Sequence, residues 1–368
     1  MSGLIVHEWI AASGGSEKVL ESMAAAFPDA SIQCLWNDAP GRFGEREVRE
    51  TWLAKTPLRR RKALALPLML PTWRLLESPE AHDWTLVSSH LFAHHVEFRN
   101  RRESAPKYVY AHTPARYIWT PELDLRGSNA AVRTVAPLLK SIDRRRAQEP
   151  TAIAANSKFV KDRIEATWGR EASVIYPPVA VERVQRVDDW RSEVSSSDEL
   201  KLLDGLPDDF VLGMSRFIPY KRLDLVISAG EAVGLPVVIA GKGPEEDRLR
   251  ALAAQSSVPV HFVIAPSDAL LFSLYQAARV LVFPAIEDFG IVPVEAQAAG
   301  TPVVTGPIGG QLESLTPGIT GVISASTEIS DLARAIDAAL RLDPFDGAQA
   351  TAHFATARFE DELRAFVT

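Results

Sequence analysis

Two carboxylates eight positions apart, Glu287 and Glu295, bracket the run Asp288-Phe289-Gly290-Ile291-Val292-Pro293-Val294. The apolar stretch ahead of them, from Ala278 to Pro284, reads as a buried strand. The stretch from Val294 to Ala299 reads as a helix with Pro293 at its first position. That reading puts Glu287 in the loop at a strand's carboxyl end and Glu295 in the first turn of the next helix. In open parallel sheets this is where ligands bind. Backbone N–H groups after Phe289, at Gly290, Ile291 and Val292, would face an anion, and the helix dipole favours a phosphate there. Taken alone, the segment is equally an ordinary turn with an acidic helix start.

A second cluster lies upstream. Phe210-Val211-Leu212-Gly213-Met214 reads as a strand, followed by Ser215-Arg216-Phe217-Ile218-Pro219-Tyr220-Lys221-Arg222 and a helix from Leu223 to Val233. Arg216 and Lys221 suit a diphosphate, because a guanidinium forks onto two oxygens and an ammonium supplies a compact charge. An anion held by two cations and flanked by acids that grip hydroxyls describes a nucleotide sugar.

The order of these motifs resembles glycosyltransferase family 4. The resemblance runs from about residue 210 to 325. It takes in Arg216 and Lys221, Gly241-Lys242-Gly243-Pro244, the Glu287/Glu295 pair, Ala298-Ala299-Gly300-Thr301-Pro302-Val303-Val304, Gly309-Gly310, Glu313, and Gly318-Ile319-Thr320-Gly321. It implies an α/β chain of the GT-B fold, two Rossmann-like domains facing each other across a cleft. It further implies that Arg216 and Lys221 hold the donor diphosphate, that Glu295 binds the ribose, and that Glu287 contacts the transferred sugar. The base would be read by backbone groups near Val263 and Ile264. Such enzymes are not expected to need a metal or other cofactor, the nucleotide sugar being a substrate.

In the N-terminal half, His7-Glu8-Trp9 follows a strand and Ser13-Gly14-Gly15-Ser16-Glu17-Lys18 opens a helix. Glycine there lets the backbone approach a ligand at a helix start. The resemblance implies that Gly14 and Gly15 close over the donor phosphate. His112, in Tyr110-Ala111-His112-Thr113-Pro114, ends a strand and can donate a hydrogen bond to a sugar or leaving phosphate. The wording of this half, with Arg116, Tyr117 and Trp119, resembles the mannosyltransferase branch of bacterial surface polysaccharide synthesis, which makes GDP-mannose the first expected donor. Retention of configuration is a further implication of the family. A nucleotide-sugar epimerase or sugar phosphorylase of the same architecture, or an inactive sugar-binding subunit, are the alternatives.

Positioning these residues requires two sets of strands alternating with helices. The apolar runs predict strands at Gly3-His7, Ser31-Leu35, Trp84-Ser88, Lys107-Ala111 and Ala152-Ala155. A second set is predicted at Phe210-Met214, Pro236-Ala240, Val260-Ile264, Arg279-Phe283 and Pro302-Thr305. The join falls near Tyr176-Pro177-Pro178, where paired prolines stiffen the chain. Expected domains are 1–178, taken as the acceptor side, and 179–353, the donor side, with helix 354–368 packing back on the first. The polar stretch from Val184 to Asp208 is expected to be a surface excursion.

At 368 residues the chain has room for two cores. Its net charge of -7 argues against nucleic-acid binding. One cysteine, Cys34, excludes an intramolecular disulfide, and no signal-peptide pattern opens the sequence, so a cytoplasmic location is expected. His90, His94 and His95 could suggest a metal, yet no paired carboxylate or cysteine lies nearby to complete a site, and no metal is expected. Arg59-Arg60-Arg61-Lys62, leading into Ala63 to Trp73, is the one membrane-like segment. It reads either as a solvated basic helix end leading into a packed segment or as a surface that meets anionic lipid, and so a lipid-linked acceptor, at the inner face of the cell membrane.

Overall fold

The computed structural model describes residues 2–12, 14–78, 81–99, 104–121 and 130–367. The chain divides into one unit of residues 1–178 and 356–368 and a second of 179–355.

The N-terminal unit begins with β1 (Gly3–His7), α1 (Gly15–Ala26), β2 (Ser31–Cys34), β3 (Val48–Glu50), α2 (Lys62–Arg74), β4 (Trp84–Ser89) and β5 (Lys107–Ala111). It continues through α3 (Arg116–Trp119), α4 (Ala130–Arg146), β6 (Ala152–Ala155), α5 (Lys158–Trp168) and β7 (Ser173–Val174). All seven strands are parallel, in the order β3-β2-β1-β4-β5-β6-β7. Alternation along the strands makes two cores. Leu4, Val6, Val87, Val109 and Ile153 face Trp73, Val160 and Trp168. Ile5, Ile32, Leu86 and Tyr110 face Leu20 and Met23 of α1.

The second unit comprises α6 (Val181–Gln185), α7 (Ser197–Asp204), β8 (Val211–Met214), α8 (Leu223–Ala232), β9 (Val237–Gly241), α9 (Glu246–Ala253) and β10 (Val260–Ile264). Then come α10 (Asp268–Ala277), β11 (Val280–Phe283), α11 (Ile291–Ala298), β12 (Val303–Thr305), β13 (Gly321–Ile323), α12 (Ile329–Ala339) and α13 (Gly347–Thr351). Its six parallel strands run β10-β9-β8-β11-β12-β13. Numbered within the unit this is 3-2-1-4-5-6, the doubly wound order, with its direction reversing between β8 and β11. The last helix, α14 (Thr356–Val367), belongs to the N-terminal unit, where Phe359, Leu363 and Val367 complete the core on the α1 side.

The ten expected strands are present to within a residue at either end. The short strands β3, β7 and β13 were not expected. β3 is a partly exposed edge, Val-Arg-Glu, without an apolar face, and β7 has only two residues. Three expectations need correction. Helix α11 starts at Ile291 after Gly290 in a left-handed conformation (φ 89°), so Pro293 is its third residue and Glu295 lies in the second turn. Proline is tolerated there because the third N–H of a helix has no intrahelical partner. The stretch from Val184 to Asp208 is not a mere surface excursion, since Val184, Trp190 and Val194 are buried and Trp190 packs on Phe272 with ring centroids 4.7 Å apart. Phe354 stays with the second unit, packed on Phe289 at 5.3 Å, and the returning helix begins two residues later than expected.

Candidate functional site

In the second unit, the residues assigned to the ligand cluster at the carboxyl ends of the strands. Lys221 closes a short 3-10 turn (Pro219–Lys221) after β8, and Glu287 follows β11. Since β8 and β11 are the neighbours at which the strand order reverses, the two side chains meet at the switch point, and Lys221 Nζ donates to Glu287 Oε1. Both are largely buried, so the pair is shielded from solvent screening. Lys221 Nζ also lies 5.6 Å from the Phe283 ring centre. Arg222, next in the chain, adopts a left-handed conformation (φ 53°), a strained position for a non-glycine residue, and immediately precedes α8. Arg216 is exposed, its guanidinium 3.3 Å from the Tyr220 hydroxyl.

Glu287 is held by its backbone as well as its side chain. Its carbonyl accepts the Gly310 N–H at 2.7 Å, and its N–H donates to Gln311 Oε1 at 3.1 Å. Gln311 is buried and was missed in the sequence; the signal was the adjacent Gly309-Gly310 pair, which marks a close backbone approach. A Cβ on Gly310 would stand 1.9 Å from the Asp288 carbonyl oxygen. Helix α11 begins directly after this clamp, so the N–H groups of Ile291 and Val292 are at its unpaired start. Phe289 itself is buried.

Glu295 is nine-tenths buried, and the Tyr275 hydroxyl donates to its Oε2 at 3.2 Å. Burial, with the Glu295 charge second, pushes the Tyr275 phenol well above its ordinary value, so it remains a donor at neutral pH. Gly241 ends β9 at φ 137°, and a Cβ there would lie 1.9 Å from the Ser215 carbonyl oxygen. The loop after Gly241 is laced to the one carrying Arg216: Phe217 N–H donates to Lys242 O at 2.9 Å, and Glu245 N–H to Phe217 O at 3.0 Å. Val263 is buried in the edge strand β10, whereas Ile264 at its end is exposed and is followed by Ala265 at φ 50°.

The N-terminal unit gathers its polar residues at its own reversal, between β1 and β4. His7 Nδ1 lies 3.0 Å from Ser88 Oγ, which lies 2.8 Å from Nε2 of His112. Glu8 is fully buried and accepts the backbone N–H groups of His90, Leu91 and Ala93 at 3.1, 2.8 and 2.7 Å. Burial alone would raise its pKa. The neighbouring His90 and His7 rings, with these N–H groups, outweigh burial and hold the carboxyl below its ordinary value. Gly14 precedes α1, and a Cβ on it would lie 2.1 Å from Glu17 Oε2. Its absence lets Glu17 fold back so that Oε1 accepts the Ala11 N–H at 3.1 Å. Gly15 is the first residue of α1; Ser13 lies outside the described residues.

The fold brings to His90, His94 and His95 carboxylates that are distant in sequence, against the expectation that none completes a cluster. Glu8 stands with His7 and His90, and Asp143 of α4 stands with His94 and His95. Both carboxylates are already served by N–H donors. Asp143 Oδ1 lies 3.0 and 2.9 Å from Nε2 of His94 and His95, and its Oδ2 accepts the Trp119 and Trp168 indoles at 2.7 Å each. A buried charge so bonded needs no cation to account for it. The segment after the basic cluster is packed, the first of its two readings. Trp73 is fully buried, Arg59 pairs with Asp38 at 2.6 Å, and Lys62 lies 4.2 Å from the Trp9 ring centre. Arg60, Arg61, Leu64 and Leu75 remain exposed, as does Trp52. Among the described residues, no helix is long and apolar enough to cross a membrane.

Comparison with known proteins gives the following. The family model described as "Glycosyl transferases group 1" matches residues 201–353, and the one described as "Glycosyltransferase Family 4" matches residues 13–183. The D-inositol 3-phosphate glycosyltransferase of Mycobacterium tuberculosis (strain ATCC 25618 / H37Rv) is 37% identical over 150 residues, 38% of this chain and 31% of that protein. The chain thus spans about a third of the length of the curated relatives it matches. Anabaena Alr3699/HepE in complex with UDP superposes with a TM-score of 0.70 at 18% identity, covering 99% of each chain. Sucrose-phosphate synthase from Thermosynechococcus elongatus superposes with a TM-score of 0.74 at 16% identity, covering 99% of this chain and 98% of the other. These likenesses establish the GT-B fold class.

Proposed function

The chain belongs to glycosyltransferase family 4, and on that premise we propose that it moves a hexose from a nucleotide diphosphate sugar to a hydroxyl of a glycan or lipid-linked acceptor, with retention at the anomeric carbon. The observation that carries the reading is the meeting of Lys221 and Glu287 at the switch point of the second sheet, directly before the helix start at Gly290. A cation, an unpaired set of helix N–H groups and an acid that can accept from sugar hydroxyls stand together there. When a donor binds, its diphosphate competes with Glu287 for Lys221, leaving the carboxylate to orient the sugar. Arg216, exposed five residues ahead of Lys221, supplies the second cation.

In the proposed reaction the acceptor oxygen bonds to the anomeric carbon on the face from which the phosphate departs. The bond from that carbon to the phosphate oxygen breaks, and the hydroxyl proton passes to a donor phosphate oxygen. The products are the glycoside and a nucleoside diphosphate. Lys221, Arg216 and the amides of Ile291 and Val292 stabilise the leaving charge. Glu295, with Oε2 committed to Tyr275, would bind the ribose, and the base would lie along Gly241 and the end of β10 at Val263 and Ile264. In the N-terminal unit, Gly14 and Gly15 would approach the donor phosphate and His112 would donate to a sugar or phosphate oxygen.

GDP-mannose is the donor we put first, on the wording of the N-terminal half. A UDP-sugar is the second reading, because Alr3699/HepE has been solved with UDP-glucose. A thermal-shift panel of GDP, UDP, ADP and TDP tests the reading, since binding raises the melting temperature according to affinity. The preferred nucleotide's sugar is then incubated with and without acceptor. Failure of all four nucleotides to stabilise the protein would defeat the proposal, and conversion of the sugar without acceptor would favour the epimerase instead.

A further inference from the structure

At the reversal of the N-terminal sheet, side chains from three elements form one hydrogen-bonded line: His7 at the end of β1, Ser88 in β4 and His112 just after β5. His7 and Ser88 are completely buried. A serine hydroxyl has one hydrogen, so Ser88 donates to one imidazole and accepts from the other. The line therefore has two possible directions, and the direction fixes the tautomer of both rings.

The far end of the line selects between them. His7 Nε2 is buried with no hydrogen-bond partner, and the nearest carboxylate, Glu8, is occupied by three backbone N–H groups. A proton on His7 Nε2 would leave a buried N–H donor unsatisfied, the rarest defect in a native structure, whereas a bare lone pair is better tolerated. The His7 proton therefore sits on Nδ1 and is donated to Ser88 Oγ. The Ser88 hydroxyl is then donated to Nε2 of His112, which leaves the His112 proton on Nδ1. Burial, reinforced by nearby His90, pushes both rings below the ordinary histidine range, His7 to about 4, so both are neutral at pH 7 and a tautomer is the relevant state. Among the described residues, His112 Nδ1 bonds to nothing, and the residue keeps part of its surface exposed.

We propose that Ser88 and His7 are positioning residues that lock His112 in its Nδ1–H tautomer, making its ligand-side nitrogen a hydrogen-bond donor. Such a group selects for an oxygen that accepts, a sugar hydroxyl or a phosphate ester oxygen, and disfavours a ligand presenting only a donor there. The role in turnover rests on the transferase reading; the tautomer does not.

The test is ¹H–¹⁵N correlation of the histidine rings in the intact, labelled protein at pH 7, with the His112 signals identified by their loss in His112→Gln. We expect a protonated Nδ1 and a bare Nε2 at His112. His7→Asn, whose amide can donate in place of Nδ1–H, should leave the proton on Nδ1, while Ser88→Ala, which removes the donor to Nε2, should leave Nε2 bare and move its ¹⁵N resonance toward that of an unbonded lone pair. An Nε2–H tautomer at His112 in the wild-type protein overturns the proposal, and that measurement depends on no variant folding. An unchanged Nε2 resonance in folded Ser88→Ala also overturns it. With donor and acceptor, Ser88→Ala should lower kcat roughly tenfold, the scale of one hydrogen bond, whereas His7→Asn with Ser88 intact should keep most of the wild-type rate. Absence of any transfer by the wild-type protein alongside the expected tautomer would defeat the transferase reading and leave the relay standing.

Discussion

Lys221 and Glu287, 66 positions apart, are joined by a side-chain ion pair across the seam where the second sheet reverses direction. Each is expected to act on the donor, so Lys221→Ala and Glu287→Ala should each lower kcat by about a hundredfold or more, the order seen when a charge-stabilising group is lost. Their effects should not add, because either change leaves the partner without its counter-charge in a largely buried position. Initial rates for the two single variants and the double variant measure this, and near-normal turnover in either single variant contradicts the assignment.

Gly241→Ala should damage the same region through the backbone. The φ of 137° and the Ser215 oxygen 1.9 Å from the added methyl force β9 and the Arg216 loop apart. A loss of roughly 2–4 kcal/mol is expected, together with weakened nucleotide binding. Denaturant unfolding and the nucleotide thermal shift read the two effects separately.

Acid should destabilise the N-terminal unit well before carboxylates titrate. Burial, with His90 second, lowers His7 to about 4, and burial, with His94 second, lowers His95 to about 4 despite Asp143. An unfolded histidine titrates near 6.5. Between about pH 6.5 and 4 the unfolded chain takes up protons that the folded chain refuses, so stability is full above the window and falls through it, by on the order of 3 kcal/mol per ring. Asp143 is itself held below the usual carboxylate range; burial opposes this, and His94 and His95 overcome it. Its contribution is therefore kept above the ordinary aspartate pKa and lost only below it. Unfolding free energies measured from pH 8 to 4 should show the slope, and His95→Gln should flatten it.

Vesicle binding, if the acceptor is lipid-linked, should depend on Arg60 and Arg61 and not on Arg59, which is tied to Asp38. Arg60→Gln/Arg61→Gln should reduce sedimentation with anionic vesicles while nucleotide binding is kept. Trp73→Ala should instead unfold the segment, because that indole is in the core. Equal sedimentation of the wild-type and doubly substituted proteins would remove this surface from consideration.

The long apolar runs made the sheets legible because strands buried on both faces carry near-continuous hydrophobic sequence. β3 was hidden by its polar edge, and α11 was placed two residues late because proline signals a helix start more strongly than a preceding glycine does. Lys221 and Glu287 were legible as candidates, but their contact was not, since adjacency of β8 and β11 is a property of topology. Gln311, Ser88 and Asp143 were invisible for the same reason: each acts on residues at least 24 positions away, through bonds that no local pattern encodes. The place of Trp73 was left open between two readings because a tryptophan beside leucines looks the same whether it faces lipid or core, and the packed reading is the one the structure bears out.

The return of α14 to the N-terminal unit dictates an order of assembly on the ribosome. Residues 179–355 emerge and can close their own sheet while the earlier unit still lacks Phe359, Leu363 and Val367. The first-made half of the polypeptide is therefore the last to mature, and its unfinished apolar flank beside α1 is what a chaperone or protease would meet during synthesis.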